Sequence, residues 1–462
     1  MTEKTASEKA PASGAVLAVL FLGVLMGALD IAIVGPALPA MRAQFAVDER
    51  SVAWVFTIYV LFNLMGAPIM AKLSDRVGRR LVYTLDVGLF ALGSLIVATS
   101  TYFEQLVIGR AVQALGASGI FPVASAVIGD TFAPERRGRA LGLIGAVFGV
   151  AFLLGPLLAA LLLRFSWHWL FLINLPVALL LMIASWRLLP GRAQRTPKPF
   201  DWAGTLALST ALSSLALGLT NLDSRALGSS LLSMRAWPLL LLAAAATWLT
   251  VKVEKNAVDP VLKPAWFATR QVKLVALFAA AAGLGEAAMV FIPDLAVSAL
   301  RMTAQSSSYM TVPVVLALAI GSPAFGRALD RLGPKPVIVS ALSSLALGAA
   351  LIALMSTTRV SLSVAGALVG LGLSGLLGAP LRYVVLEEVA ADERASAQGI
   401  LTAFTSIGMM LSGVLIGAIA ASSGGGAAGY REAFGLIAII VLVMLGAAFG
   451  LRNRRAIPAK SH

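Results

Sequence analysis

Apolar runs of about 20 residues recur along this chain from Gly14 to Leu451, and that recurrence limits the fold more than any other feature. Each run is long enough to cross a hydrocarbon layer of about 30 Å as a helix, and inside lipid only helices and closed barrels satisfy their own backbone. A barrel would show short alternating segments, and none occur. With 59% hydrophobic and 13% charged residues in 462, the chain carries more apolar surface than one water-soluble core hides. The spans fall at 14–40, 51–71, 81–100, 104–129, 140–163, 169–189, 202–220, 237–251, 273–298, 307–326, 336–356, 361–386, 397–421 and 433–451, which makes fourteen. The eighth, Trp237 to Val251, is the shortest and reads as short, tilted or re-entrant. The polar start lacks a cleavage site, so the first run reads as a permanent span.

With both termini on one side, 26 of the 36 Lys and Arg fall on that side or in the tails, 8 on the other, and 2, Arg110 and Arg382, within spans. The positive-inside rule then predicts cytoplasmic termini in a bacterial inner membrane. It accounts for most of the net charge of +14 without a nucleic-acid partner. There are no cysteines and only two histidines, so disulfides, thiolate chemistry and a His/Cys metal site lack material. No cofactor is implied.

Two patterns occur twice. Lys72-Leu-Ser-Asp-Arg-Val-Gly-Arg-Arg80 is echoed by Arg327-Ala-Leu-Asp-Arg-Leu-Gly-Pro-Lys335, an offset of 255 between Asp75 and Asp330. Pro134-Glu-Arg-Arg-Gly-Arg-Ala-Leu-Gly142 is echoed by Asp392-Glu-Arg-Ala-Ser-Ala-Gln-Gly399, an offset of 258 between Glu135 and Glu393. Near-equal offsets mark one duplicated six-helix unit. The surplus length falls between the copies, so the expected organisation is a tail 1–13, a six-helix half 14–189, a linker 190–272 with two extra spans, a second half 273–451 and a tail 452–462.

In each repeated loop the glycine lets the backbone turn and the aspartate can accept from donors or face the positive end of a helix. Asp75, Arg76, Gly78, Arg79, Asp330 and Arg331, joined by Asp130 at the end of span four, are therefore candidates for a latch that holds one conformer and breaks as the halves rock. The bland alternative is a basic loop. Asp86 reads as a shallow surface or latch partner.

The loop pattern resembles the signature of the major facilitator superfamily, with Ala71 where its first glycine is usual. In span one, Leu29-Asp30-Ile-Ala-Ile-Val-Gly-Pro-Ala-Leu-Pro39 is similar to the first-helix signature of the fourteen-span drug:proton antiporters, departing at Ala32, Gly35 and Pro36. Arg110-Ala-Val-Gln113 in span four resembles the superfamily's proton-transfer motif, with Ala114 for glycine. Gly145, Gly149, Gly155 and Pro156 in span five resemble the antiporter motif, with Ala159-Ala160 replacing its closing glycine pair. Trp167-His-Trp-Leu-Phe-Leu-Ile-Asn-Leu-Pro176 also looks like the fourteen-span family. The resemblance implies an all-α major facilitator fold of two six-helix halves plus two central helices, acting as a monomer. It further implies proton-coupled export of amphipathic, cationic drugs or dyes; export of a lipid or hydrophobic metabolite is the alternative.

Intramembrane charge is costly and usually faces the interior, so Asp30 and Arg110 are expected to pair, for structure alone or for proton coupling. Glu286, near the middle of span nine among small residues, is a candidate proton carrier, a counter-charge for a cationic substrate, or a partner of a neighbouring helix. Asp294 and Gln113 are further substrate-binding candidates, Asp294 with an interfacial role as its alternative. Arg382 is expected to snorkel to the surface. The glycines of span five form a close-packing face.

Gly370-Leu-Gly372-Leu-Ser-Gly375 matches a dinucleotide fingerprint but lies inside a span and reads as helix packing. No phosphate-binding G-x-x-x-x-G-K-[ST] sequence occurs, so an ion gradient is the expected driving force. A membrane-embedded enzyme or sensor lacks both the side chains and a soluble signalling domain.

Overall fold

In a computed structural model, the protein is described over residues 13–452 apart from 48, 53, 192–200, 223–226, 258–259, 261–262, 357 and 423–425. Residues 1–12 and 453–462, most of both expected tails, lie outside the described residues, as does part of the linker.

Among the described residues, fourteen helices are long and apolar enough to cross a membrane: Gly14–Leu38, Trp54–Val77, Arg79–Ala98, Phe103–Thr131, Pro134–Leu162, Trp169–Leu188, Trp202–Leu219, Trp237–Asn256, Arg270–Met289, Tyr309–Leu332, Pro334–Met355, Arg359–Glu388, Ala391–Ile416 and Gly426–Ala448. They are spans one to fourteen. No strand occurs among the described residues. Large apolar side chains point outward, among them Leu157, Leu179, Leu354 and Val443 of spans five, six, eleven and fourteen, each more than half exposed. In water such a surface would aggregate; in a bilayer it is the solvated face.

The spans pack around two principal cores. One joins residues of spans nine to fourteen, such as Phe278, Leu345, Leu373, Ile400 and Phe434. The other joins spans one to six through Leu20, Met70, Tyr83, Phe90, Val123, Ile144 and Leu181, with a few residues of the second half at its edge. Spans seven and eight pack on each other, and span seven lies over the seam between spans two and thirteen. There Leu208, Leu212 and Ala216 meet Leu61 and Leu64 on one side and Ala403, Ile407 and Met410 on the other.

Three spans differ from the sequence expectation. Span eight is not short: the helix runs on through Lys252, Glu254 and Lys255 to Asn256, because charged residues that leave the hydrocarbon still favour helix. Span nine ends at Met289, and a separate helix, Ile292–Leu300, begins with Pro293 in its first turn, where a missing N–H costs nothing. Span twelve is broken at Gly378, whose φ of −80° and ψ of −133° end one helix at Leu377 and let Pro380 open the next.

Span five approaches span ten at backbone distance. Side-chain carbons placed on Gly138, Gly142 and Gly149 would run into Gly326, Ser322 and Ala319, and one on Gly145 into Gly378. Gly155, expected on the same face, instead packs on Ala32 of span one within its own half, and Pro156 continues the helix beyond it. The contact between halves therefore extends towards Gly138, outside the glycine motif itself. A β-carbon at Gly145 would lie 3.6 Å from the Ser322 Cβ, within the roughly 3.5–4.5 Å that a disulfide requires, and the Gly378 backbone at the break in span twelve has to move aside to admit it. In a chain without cysteines, Gly145→Cys with Ser322→Cys is expected to oxidise to one cross-link that arrests most transport until reductant is added. Full transport by the oxidised pair would show that this seam need not open.

Candidate functional site

A cavity lies between the halves, walled by spans one, two, four, five, nine, twelve and thirteen. Its lining is apolar at Phe121, Phe148, Leu376 and Met409, with hydroxyls and amides at Asn63, Ser118, Thr402, Thr405 and Ser406. Two opposite charges line it, Glu286 and Arg382. Glu286 sits where Gly283 and Gly285 let spans thirteen, eleven and twelve come close, and among the described residues nothing hydrogen-bonds its carboxylate.

Arg382 does not snorkel. It is 7% exposed, its guanidinium lies 3.6 Å above the Phe121 ring, and its Nη1 donates to Gln398 Oε1 at 3.1 Å. The break at Gly378 re-aims the last segment of span twelve inward, and Gln398 holds it there by donating back to the Arg382 carbonyl at 2.9 Å. Sequence depth alone could not reveal this, because depth is counted along an unbroken helix.

Behind the cavity wall lies a closed polar cluster. Arg110 Nη1 donates to Asp30 Oδ2 at 2.6 Å, and both side chains have no exposure. Gln113 Nε2 donates to Asp30 Oδ1 and to Ser94 Oγ at 2.8 Å each, while its Oε1 accepts from Arg110 at 2.7 Å. Asn174, just past the kink in span six, donates to Asp30 Oδ1 at 3.4 Å. The arginine also donates Nε–H to the Val55 carbonyl and stacks 4.2 Å over Tyr59. A buried pair is tolerable only when most of its other donors and acceptors are met, and here Arg110 Nη2 alone of the pair's polar atoms is buried without an acceptor among the described residues. Tyr59 also lines the cavity, so a single ring separates the pair from it.

Two expected substrate contacts are elsewhere. Gln113 spends its amide inside the Asp30 cluster and does not line the cavity. Asp294 is exposed in the first turn of the helix that Pro293 starts, away from the cavity, because span nine stops before it. Asp86 is not a surface residue: its side chain is fully buried beside Gly119, and both of its oxygens lack hydrogen-bond partners among the described residues.

At the end of the bundle carrying the repeated loops, the two aspartates perform matching contacts across the halves. Asp75 accepts from the Ala395 and Ser396 amides at 3.1 and 2.7 Å, at the start of the span-thirteen helix. Asp330 accepts from the Gly138 and Arg139 amides at 2.9 and 3.0 Å, in the opening turns of span five. Each carboxylate thus meets the positive end of a helix in the opposite half. Gly78 and Gly333 turn the two loops at φ of 108° and 83°, values that an L side chain rarely adopts.

The copies then diverge. Arg79 pairs with Asp75, reaches Asp130 at 3.1 Å and donates to the Ala391 carbonyl at 3.2 Å, whereas the second copy has Pro334 in its place. Arg394 closes the cluster on Asp130 at 2.8 Å, and Arg137 pairs with Glu387 at 2.9 Å. Arg76 flanks this cluster and Arg331 is exposed. Arg394 and Ser396 stand in the second repeated loop, and the sequence offers them as a repeat without naming their partner.

The family profile described as Major Facilitator Superfamily matches residues 20–253 and 274–462. The chain belongs to the major facilitator superfamily. Its relatives include an uncharacterised MFS-type transporter, YfiU, of Bacillus subtilis strain 168, 36% identical over 401 residues covering 85% of this chain and 77% of that one. Multidrug resistance protein 3 of the same strain is 29% identical over 426 residues, covering 90% and 80%. Among solved structures, the human organic anion transporter MFSD10 superposes with a TM-score of 0.71 over 95% of this chain and 100% of that chain, at 16% identity, a likeness of fold alone. This member of the superfamily is a multi-pass membrane transporter, not an enzyme. Its fourteen spans are the two six-helix halves of the major facilitator fold with two further helices between them.

Proposed function

We propose that this transporter exports amphipathic molecules, including cationic drugs or dyes, in exchange for protons by alternating access. In this reading it is a monomer of the bacterial inner membrane with both termini cytoplasmic, and residues 14–189 and 273–451 rock about the linker 190–272. The observation that carries the reading is the cavity between the halves, mostly apolar, with Glu286 in its wall and the Asp30–Arg110 pair one ring behind it. An apolar cavity with few polar groups discriminates weakly between shapes, which suits several substrates. Relatives named as multidrug transporters support the same reading. A gradient suffices as the driving force: one pH unit supplies about 1.4 kcal/mol and 100 mV about 2.3 kcal/mol per charge.

Protonation of Asp30 or Glu286 from outside relaxes their hold on a partner or a bound cation. The latch at the loop end then opens, and reverses when the proton leaves inside. The test is proteoliposomes holding a pH-sensitive dye, given lipophilic cations and neutral amphiphiles under an imposed proton gradient. Substrate-dependent proton movement is expected, and Asp30→Asn should remove it. Silence across the panel with folded, oriented protein would overturn drug:proton exchange in favour of lipid or metabolite export. Glu286→Gln is expected to weaken binding of a lipophilic cation by about tenfold while leaving a neutral analogue unchanged, as loss of a desolvated charge partner predicts. Equal loss for both probes would remove Glu286 from cation recognition.

A further inference from the structure

Arg382 is a buried guanidinium with no carboxylate within ion-pair distance among the described residues. It carries five N–H donors, of which Gln398 takes one, and its Nε is buried without an acceptor. A charge at this depth is expensive unless something compensates it. The Phe121 face contributes a cation–π contact, which orients the planar group without using its N–H edge.

The duplicated unit carries this charge in one copy only. Phe121-Pro122 in span four and Ala379-Pro380 in span twelve are separated by 258, the offset of the second repeat, and the position matching Arg382 is Ala124. One copy of the unit is thus built with a methyl group where the other carries a guanidinium at the cavity wall. The cavity is bipolar, with Glu286 on span nine and Arg382 on span twelve, separated by apolar and hydroxyl side chains.

We infer that Arg382 receives the acidic group of a substrate, so that this cavity takes amphipathic carboxylates, including zwitterions whose ammonium faces Glu286, and not cations alone. Phe121 fixes the plane of Arg382 and Gln398 takes one Nη1 hydrogen, while Nη2 has no acceptor among the described residues; the remaining Nη1–Nη2 edge is planar and can match a carboxylate in a way a lysine ammonium would not. The inference rests on the reading of this cavity as the substrate site.

Two fluorescent probes sharing a pyrene body test it, one ending in a carboxylate and one in a trimethylammonium group, titrated onto the purified full-length protein in detergent. The wild type is expected to bind both. Arg382→Gln should weaken the carboxylate probe by about tenfold or more and leave the ammonium probe unchanged or tighter. Arg382→Lys should recover part of the loss, and Glu286→Gln should tighten the carboxylate probe. Unchanged carboxylate affinity in Arg382→Gln, or a parallel fall for both probes, overturns the inference and leaves Arg382 a structural group. If Arg382→Gln is not monodisperse, the wild type and Arg382→Lys decide: a wild type that binds only the ammonium probe, or a lysine variant with undiminished carboxylate affinity, overturns it. A wild type that binds neither probe and moves no proton with either overturns the substrate-site reading itself.

Discussion

Arg110→Leu with Asp30 left in place is expected to abolish uphill transport and to lower stability by about 3–5 kcal/mol, the usual cost of stranding one partner of a buried ion pair. Gln113, Asn174, the Val55 carbonyl and the Tyr59 ring converge on this pair, and removal of the arginine leaves Asp30, among the described residues, with the Gln113 and Asn174 amides in a place where neither side chain touches solvent. The conservative Asp30→Asn keeps the shape and leaves the arginine with the Gln113 and Val55 oxygens, so its stability loss should be smaller while coupled transport still fails. Thermal unfolding in detergent and proton uptake in proteoliposomes separate the two effects. An Arg110→Leu protein that unfolds with the wild type and still drives uptake would reduce the pair to an ornament of the fold.

The second large effect concerns the latch. Asp75→Ala removes the partner of Arg79 and the acceptor for the Ala395 and Ser396 amides at once, which should shift the balance between conformers by about 2–4 kcal/mol, or roughly 30- to 900-fold. Asp330→Ala removes two backbone contacts and no arginine partner, because Pro334 stands where Arg79 does in the first copy, so its shift should be the smaller. Fluorophores on introduced cysteines at the loop end would report the distance between halves in each variant. A shift for Asp330→Ala equal to or larger than that for Asp75→Ala would overturn this ranking.

Much of this arrangement is legible in the sequence where a residue's role comes from cost. Asp30 and Arg110 are the charges that a bilayer least tolerates, so their pairing is implied by hydropathy alone. Asp75 and Asp330 are legible because they recur, and recurrence in a duplicated unit implies the same contact made twice. The snorkelling of Arg382 and the substrate-binding reading of Asp294 fail for one shared reason, that depth counted along the sequence assumes continuous helices, while the interfacial alternative for Asp294 agrees with its exposure. The breaks at Gly378 and after Met289 re-aim the segments beyond them, whereas Asp86 is hidden by the close approach of span four at Gly119, which depth does not report. Gln398 and Tyr59, which tie the charges to the cavity wall, carry no signal of their own in a single sequence.

Span seven rests on span two from one half and span thirteen from the other. If the halves rock, one of those faces has to shear, and the helix becomes a bearing surface under load. The face it presents to them is Leu208, Leu212 and Ala216, two branched side chains and a methyl group that have to slide past Leu61 and Leu64 or past Ala403, Ile407 and Met410. None of the three lines the cavity, so a change of bulk there would alter how easily the seam slides and leave what the cavity accepts unchanged.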